Sequence, residues 1–102
     1  MPTRNVLVEA TLKDVDGNPL SGKSVNLYYK LSSETTYNDI GTNPHITDEN
    51  GVASDIISLT VPDTYDFKAE FPGDDTYEAS SAELTNQTIK AGTQITLTII
   101  PQ

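Results

Sequence analysis

Apolar and polar residues alternate with a period of two along four stretches of the chain. In the first, Val6, Val8, Ala10 and Leu12 interleave with Leu7, Glu9, Thr11 and Lys13, as a strand with one buried face requires. The second sets Val25, Leu27, Tyr29 and Leu31 against Asn26, Tyr28 and Lys30. The third sets Tyr65, Phe67, Ala69 and Phe71 against Asp66, Lys68 and Glu70, and the fourth sets Ile95, Leu97 and Ile99 against Thr96 and Thr98. Three weaker strands lie between these. Thr35 to Ile40 is short and polar, which suits an edge. Val52 to Val61 is β-branched, but Ile56 and Ile57 compete for its inner face. Ala79 to Lys90 is Ser/Thr-rich and poorly patterned, which predicts a bulge or break.

No window carries apolar residues at helical spacing. Turn signals separate the strands: Asp16-Gly17-Asn18-Pro19, Ser21-Gly22, Asn50-Gly51, Pro62-Asp63, Pro72-Gly73-Asp74 and Ala91-Gly92. About seven short strands with regular turns predict an all-β, antiparallel Greek-key sandwich, with an open barrel as the alternative. The inward residues of each strand would form the layer between two sheets. Burying one aliphatic or aromatic side chain there is worth roughly 1.5–3 kcal/mol before entropy is charged against it.

Length and charge narrow the functional classes. The 102 residues suffice for a single domain spanning 1–102. There is no cysteine, so neither disulfides nor thiolate metal sites are available. Oxidising compartments permit disulfides without requiring them, so their absence leaves an extracellular setting open. A net charge of −9 repels phosphate backbones and anionic lipid headgroups, which disfavours nucleic acid as a partner. It also suits a monomeric, well-solvated domain. No run approaches the ~20 apolar residues of a membrane span, so direct membrane insertion is not expected. Met1 to Asn5 carries no apolar leader, which fits either a cytosolic protein or a module taken from a longer exported parent; the second reading is preferred.

Three blocks resemble the immunoglobulin-like repeats of bacterial and archaeal surface proteins. Ala10–Asp14 and Asp16–Val25 resemble their opening, and Thr47–Ala53 resembles their central turn. Tyr65–Ser80 resembles their late strand and the loop after it. The resemblance implies an immunoglobulin-like sandwich from an adhesin, an invasin-like protein or a surface layer, acting as a stalk spacer or a binding tip. The Gly-Asn-Pro-Leu-Ser-Gly and Thr-Asp-Glu-Asn-Gly stretches also resemble transthyretin-like and collagen-adhesin B-type sandwiches, which differ in strand order. Such repeats usually carry a strand ahead of the Ala-Thr-Leu segment, and almost nothing precedes Val6 here. Gly92–Ile99 resembles that strand, so residues 93–102 are either this domain's last strand or the first strand of a following repeat.

Candidate sites are few. Asp14, Asp16 and Asn18 bring three oxygen side chains to one turn, and Asp74 and Asp75 form a second acidic loop; calcium takes oxygen ligands of this kind. A self-capping, solvated turn is the simpler reading of both. His45, the single histidine, falls in a loop, and no serine sits in a nucleophile elbow. Tyr28, Tyr37 and Tyr77 would form either an exposed binding patch or rim packing. Tyr65 stands where sandwiches place a corner tyrosine, with its hydroxyl bonded back to the preceding turn. Asn86-Gln87-Thr88 is a glycosylation sequon. Lys13, Lys30 and Lys68 alternate outward, which argues against a self-formed lysine cross-link.

The reading is therefore a non-catalytic spacer in a tandem array at the cell surface, with neighbouring modules of the same chain as partners. The alternative is an adhesive module that contacts protein or glycan through the loops at Ser32–Pro44 and Pro72–Tyr77. No catalytic, cofactor-binding or metal residue is assigned, no cofactor is expected, and the chain is not expected to be an enzyme.

Overall fold

Thr3–Leu12 form β1, whose alternation carries Val6, Val8, Ala10 and Leu12 out of solvent entirely. The computed structural model describes residues 3–60, 63–89 and 94–101. The further strands are β2 (Ser24–Leu31), β3 (Asn38–Asp39), β4 (His45–Ile46), β5 (Val52–Thr60), β6 (Asp63–Phe71), β7 (Ser80–Ile89) and β8 (Gln94–Ile99). One sheet has the order β5-β1-β8; the other has the order β3-β2-β6-β7, with β4 also on the free edge of β2. Two packed sheets without a helix among the described residues make the protein an all-β sandwich.

Between the sheets lie the residues that the alternation marked. Val25, Leu27, Tyr65, Phe67, Ala69, Phe71, Ile95, Leu97 and Ile99 are all buried, while Tyr29 and Leu31 pack partly buried against them. In β5 the competition is resolved by pairing with β1. Ala53 lies opposite Ala10, so Ile57 opposite Val6 shares the inner face, and Ile56 points outward at 62 % exposure.

Not every pair is antiparallel. β8 runs parallel to β1, in register from Leu7 opposite Gln94 to Leu12 opposite Ile99. A parallel neighbour needs a crossover, and the chain makes one by passing from β7 in the second sheet to β8 in the first. The molecule measures 45 × 26 × 23 Å. A ten-residue strand spans roughly 33 Å, so the strands follow the long axis. The chain therefore enters at Thr3 at one end of the rod and leaves past Ile99 at the other.

The strand expected from Thr35 to Ile40 shrinks to Asn38–Asp39. Its first half instead folds over the outer face of the second sheet, where Tyr37 lies across Lys30 and Lys68 and donates its hydroxyl to Glu83. The bulge expected in β7 is present. Tyr65 pairs with Gln87 and Phe67 with Leu84, which leaves Thr85 and Asn86 opposite Asp66, and Asn86 adopts φ 57°. Val61, Pro62 and the Ala91-Gly92 turn lie outside the described residues.

Candidate functional site

His45 is not a loop residue. It begins β4, pairs with Val25 of β2, and its side chain is only 11 % exposed. Its ring is clamped on both sides. Nε2 lies 2.9 Å from Asp55 Oδ2 on β5, across the seam between the sheets, and Nδ1 lies 3.0 Å from Asn43 Oδ1. Asn43 is itself fixed by the backbone of Leu27: its Oδ1 accepts from the Leu27 N–H at 2.8 Å, and its Nδ2 donates to the Leu27 carbonyl at 3.0 Å. The Asn43 carboxamide thus substitutes for ladder bonds where the edge is broken between β3 and β4. The hydrogen bond from His45, then the Ile56 N–H, hold the Asp55 carboxyl below the usual carboxylate range. Both ring nitrogens are thus hydrogen-bonded within the protein.

A second polar cluster centres on Asp66, which the alternation placed outward and the structure buries to 6 % exposure. Its Oδ2 accepts from Lys30 Nζ at 2.6 Å; its Oδ1 accepts from Ser32 Oγ at 2.6 Å and from the Asn86 N–H at 2.9 Å. These bonds, led by that of Lys30, hold the carboxyl down at about 2. Asp66 thus caps the β7 bulge and neutralises Lys30, whose side chain is 12 % exposed. Lys30 faces outward, as its alternation requires, but it is covered: the Ser32–Tyr37 segment lies over it, and Nζ also donates to the Glu34 carbonyl. The argument against a lysine cross-link therefore no longer holds for this residue.

The acidic turns use their oxygens locally. Asp14 Oδ1 accepts from the Asp16 and Asn18 N–H groups and Oδ2 from Asn18 Nδ2, which closes a self-capped turn. Asp74 Oδ2 pairs with Lys23 Nζ at 2.6 Å, and its Oδ1 accepts from the Thr76 and Tyr77 N–H groups. Lys23, then these amides, hold the Asp74 carboxyl at about 2. Among the described residues, no three His, Asp or Glu side chains converge as metal ligands. The tyrosines divide between two places. Tyr28 and Tyr37 lie 6.4 Å apart on the outer face of the second sheet, whereas Tyr77 packs against the core under Lys23.

The corner tyrosine sits as expected: Tyr65 Oη donates to the Thr60 carbonyl at 3.1 Å. Beside it a shallow cleft of about 300 Å³ opens at the edge of the sheets, lined by Tyr29, Leu31, Glu34, Asn38, Ser58 and Tyr65, among others. Glu34 and Asn38 come from the Ser32–Pro44 segment. The sequence reading missed Asn43, Asp66 and Thr47, the last of which is buried and joins the Leu20 carbonyl to the Lys23 N–H. A half-buried Asn, or a buried Asp or Thr, has no periodic signal.

No family model matches the chain, and no curated protein does. Among solved structures, chlorocatechol 1,2-dioxygenase from Pseudomonas putida is similar, with a TM-score of 0.60 and 14 % identity over 97 % of this chain. The match spans 60 % of the dioxygenase chain. At that identity the likeness shows the fold alone. It nevertheless corrects one expectation. The denial that the chain is an enzyme rested on absent catalytic spacings and on resemblance to stalk modules. The same sandwich occurs in a dioxygenase, so this fold gives no ground for that denial.

Proposed function

We propose that the chain is a spacer module of a surface or secreted protein, an immunoglobulin-like Greek-key sandwich set in a tandem array. One observation carries this reading: the parallel pairing of β1 with β8 places the first and last strands' outer ends at opposite ends of a 45 Å rod. Modules joined end to end through such termini extend a stalk by their long axis. Neighbouring modules of the same chain are then its partners, and the −9 charge keeps adjacent stalks apart. The resemblance to surface-protein repeats supports an extracellular setting. A parallel pair of first and last strands fits the immunoglobulin-like order and the transthyretin-like, collagen-adhesin B-type order alike, and both lead to the same role.

Small-angle scattering of a two-copy tandem tests the reading. The maximum dimension should grow by about 45 Å over the single copy. Growth by only the 23–26 Å width would mean side-by-side packing and would end the spacer reading.

The cleft beside Tyr65 favours a second reading, an adhesive module that contacts protein or glycan through the Ser32–Pro44 loop. Screening on glycan and surface-protein arrays tests it, with Glu34→Gln and Tyr29→Ala expected to abolish any true hit. Retention of binding in both variants would place the contact elsewhere.

A further inference from the structure

The route by which force would cross the module is written in its strand order. Tension on the two chain ends pulls β1 from its Thr3 end and β8 from its Ile99 end. These strands are adjacent and parallel, so the two pulls slide them past each other along their length. β1 is the only ladder partner of β8 among the described residues. The Lys13 N–H donates to the Ile99 carbonyl at 3.1 Å. Since N–H and C=O of one strand residue point the same way, Ile95, Leu97 and Ile99 all turn their backbone groups toward β1.

Sliding would break these bonds together, because each lies across the direction of pull. The side chains resist the same motion. Ile95, Leu97 and Ile99 stand opposite Val8, Ala10 and Leu12, all buried. A one-residue slip would turn the inner face of β8 outward and expose its three apolar side chains at once. We infer that the β1–β8 ladder is a shear clamp that bears tensile load along the module. Its use in a stalk rests on the spacer reading, whereas the clamp itself is a property of the fold.

Single-molecule pulling can separate shear from peeling. The chain has no cysteine, so engineered cysteines define the attachment points. One form carries handles at its two termini. The other carries one at the C-terminus and one at Asn50→Cys, in the exposed turn beside Gly51, whose carbonyl accepts from the Leu12 N–H at 2.7 Å. Both handles of the second form then sit at the end where β8 leaves, so β8 peels from β1 one bond at a time. Matching thermal midpoints for the two forms would show that the handles leave the fold intact. At equal loading rate, rupture through the termini should need about twice the force of rupture through Asn50 or more, since the bonds share the load. Equal forces in the two geometries would overturn the clamp. That result would leave the spacer reading standing, because scattering of the tandem decides it separately.

Discussion

His45 on β4 and Asp55 on β5 bridge the seam between the two sheets, Nε2 to Oδ2 at 2.9 Å. Behind the imidazole, Asn43 supplies the Leu27 N–H with its acceptor. Leu27 is fully buried, so losing that acceptor leaves a donor without water or partner. Asn43→Ala should destabilise the protein by about 1–3 kcal/mol, the desolvation penalty of an unmet buried donor. His45→Ala, which removes the bridge but leaves Leu27 paired, should destabilise it by less. Urea midpoints of the two variants check the order, and a larger loss for His45→Ala would contradict the role given to Asn43.

The Asp66 cluster predicts an acid-sensitive stability. Its folded carboxyl titrates at about 2, below the ordinary value of 3.8. The proton therefore binds the unfolded chain first as pH falls, and the stabilisation present above about pH 4 is lost between about pH 4 and pH 2. It amounts to about 2 kcal/mol. Asp66→Ala should remove that acid-dependent component and destabilise the neutral protein by about 3 kcal/mol, because Lys30 would stay largely buried without its partner. Denaturation at pH 6 and pH 2.5, parent beside variant, measures both.

Tyr65→Phe deletes the bond to the Thr60 carbonyl and leaves the ring in the core. The expected loss is about 0.5–1.5 kcal/mol, the net value of one hydrogen bond. For a domain of this size each kcal/mol lowers the melting midpoint by roughly 4–8 °C. An unchanged midpoint would refute the corner role.

Two turn glycines should differ in sensitivity. Gly51 has φ 76°, and a Cβ there would stand 2.5 Å from the Leu12 carbonyl oxygen. Gly17 has φ 87° with open space around it. Gly51→Ala should destabilise by about 2 kcal/mol or more, and Gly17→Ala by about 1 kcal/mol from strain alone. Thermal melts of both variants test the ranking.

The buried half of the molecule was legible because one face of each strong strand is dry and the other wet. That contrast repeats every two residues and survives without knowledge of partners. It located Val6 to Leu12, Val25 and Leu27, Tyr65 to Phe71 and Ile95 to Ile99. It failed at Asp66 and Lys30, whose positions face outward but lie beneath the Ser32–Tyr37 segment. It failed also at Thr35–Ile40, where only Asn38–Asp39 pair and Tyr37 instead lies over Lys30 and Lys68.

The sequence by itself determined an all-β chain, its strong strands, the turns that fall among the described residues, the corner tyrosine and the β7 bulge, since each follows from local alternation or from residues near in sequence. Tertiary structure alone decided that β8 lies parallel to β1, that His45 and Asp55 meet, that Ile57 rather than Ile56 faces inward, and that Asp66 joins Lys30 to Asn86. Each depends on which strand lies beside which. Period-two alternation says which face is buried and leaves a strand's neighbour and its direction unstated.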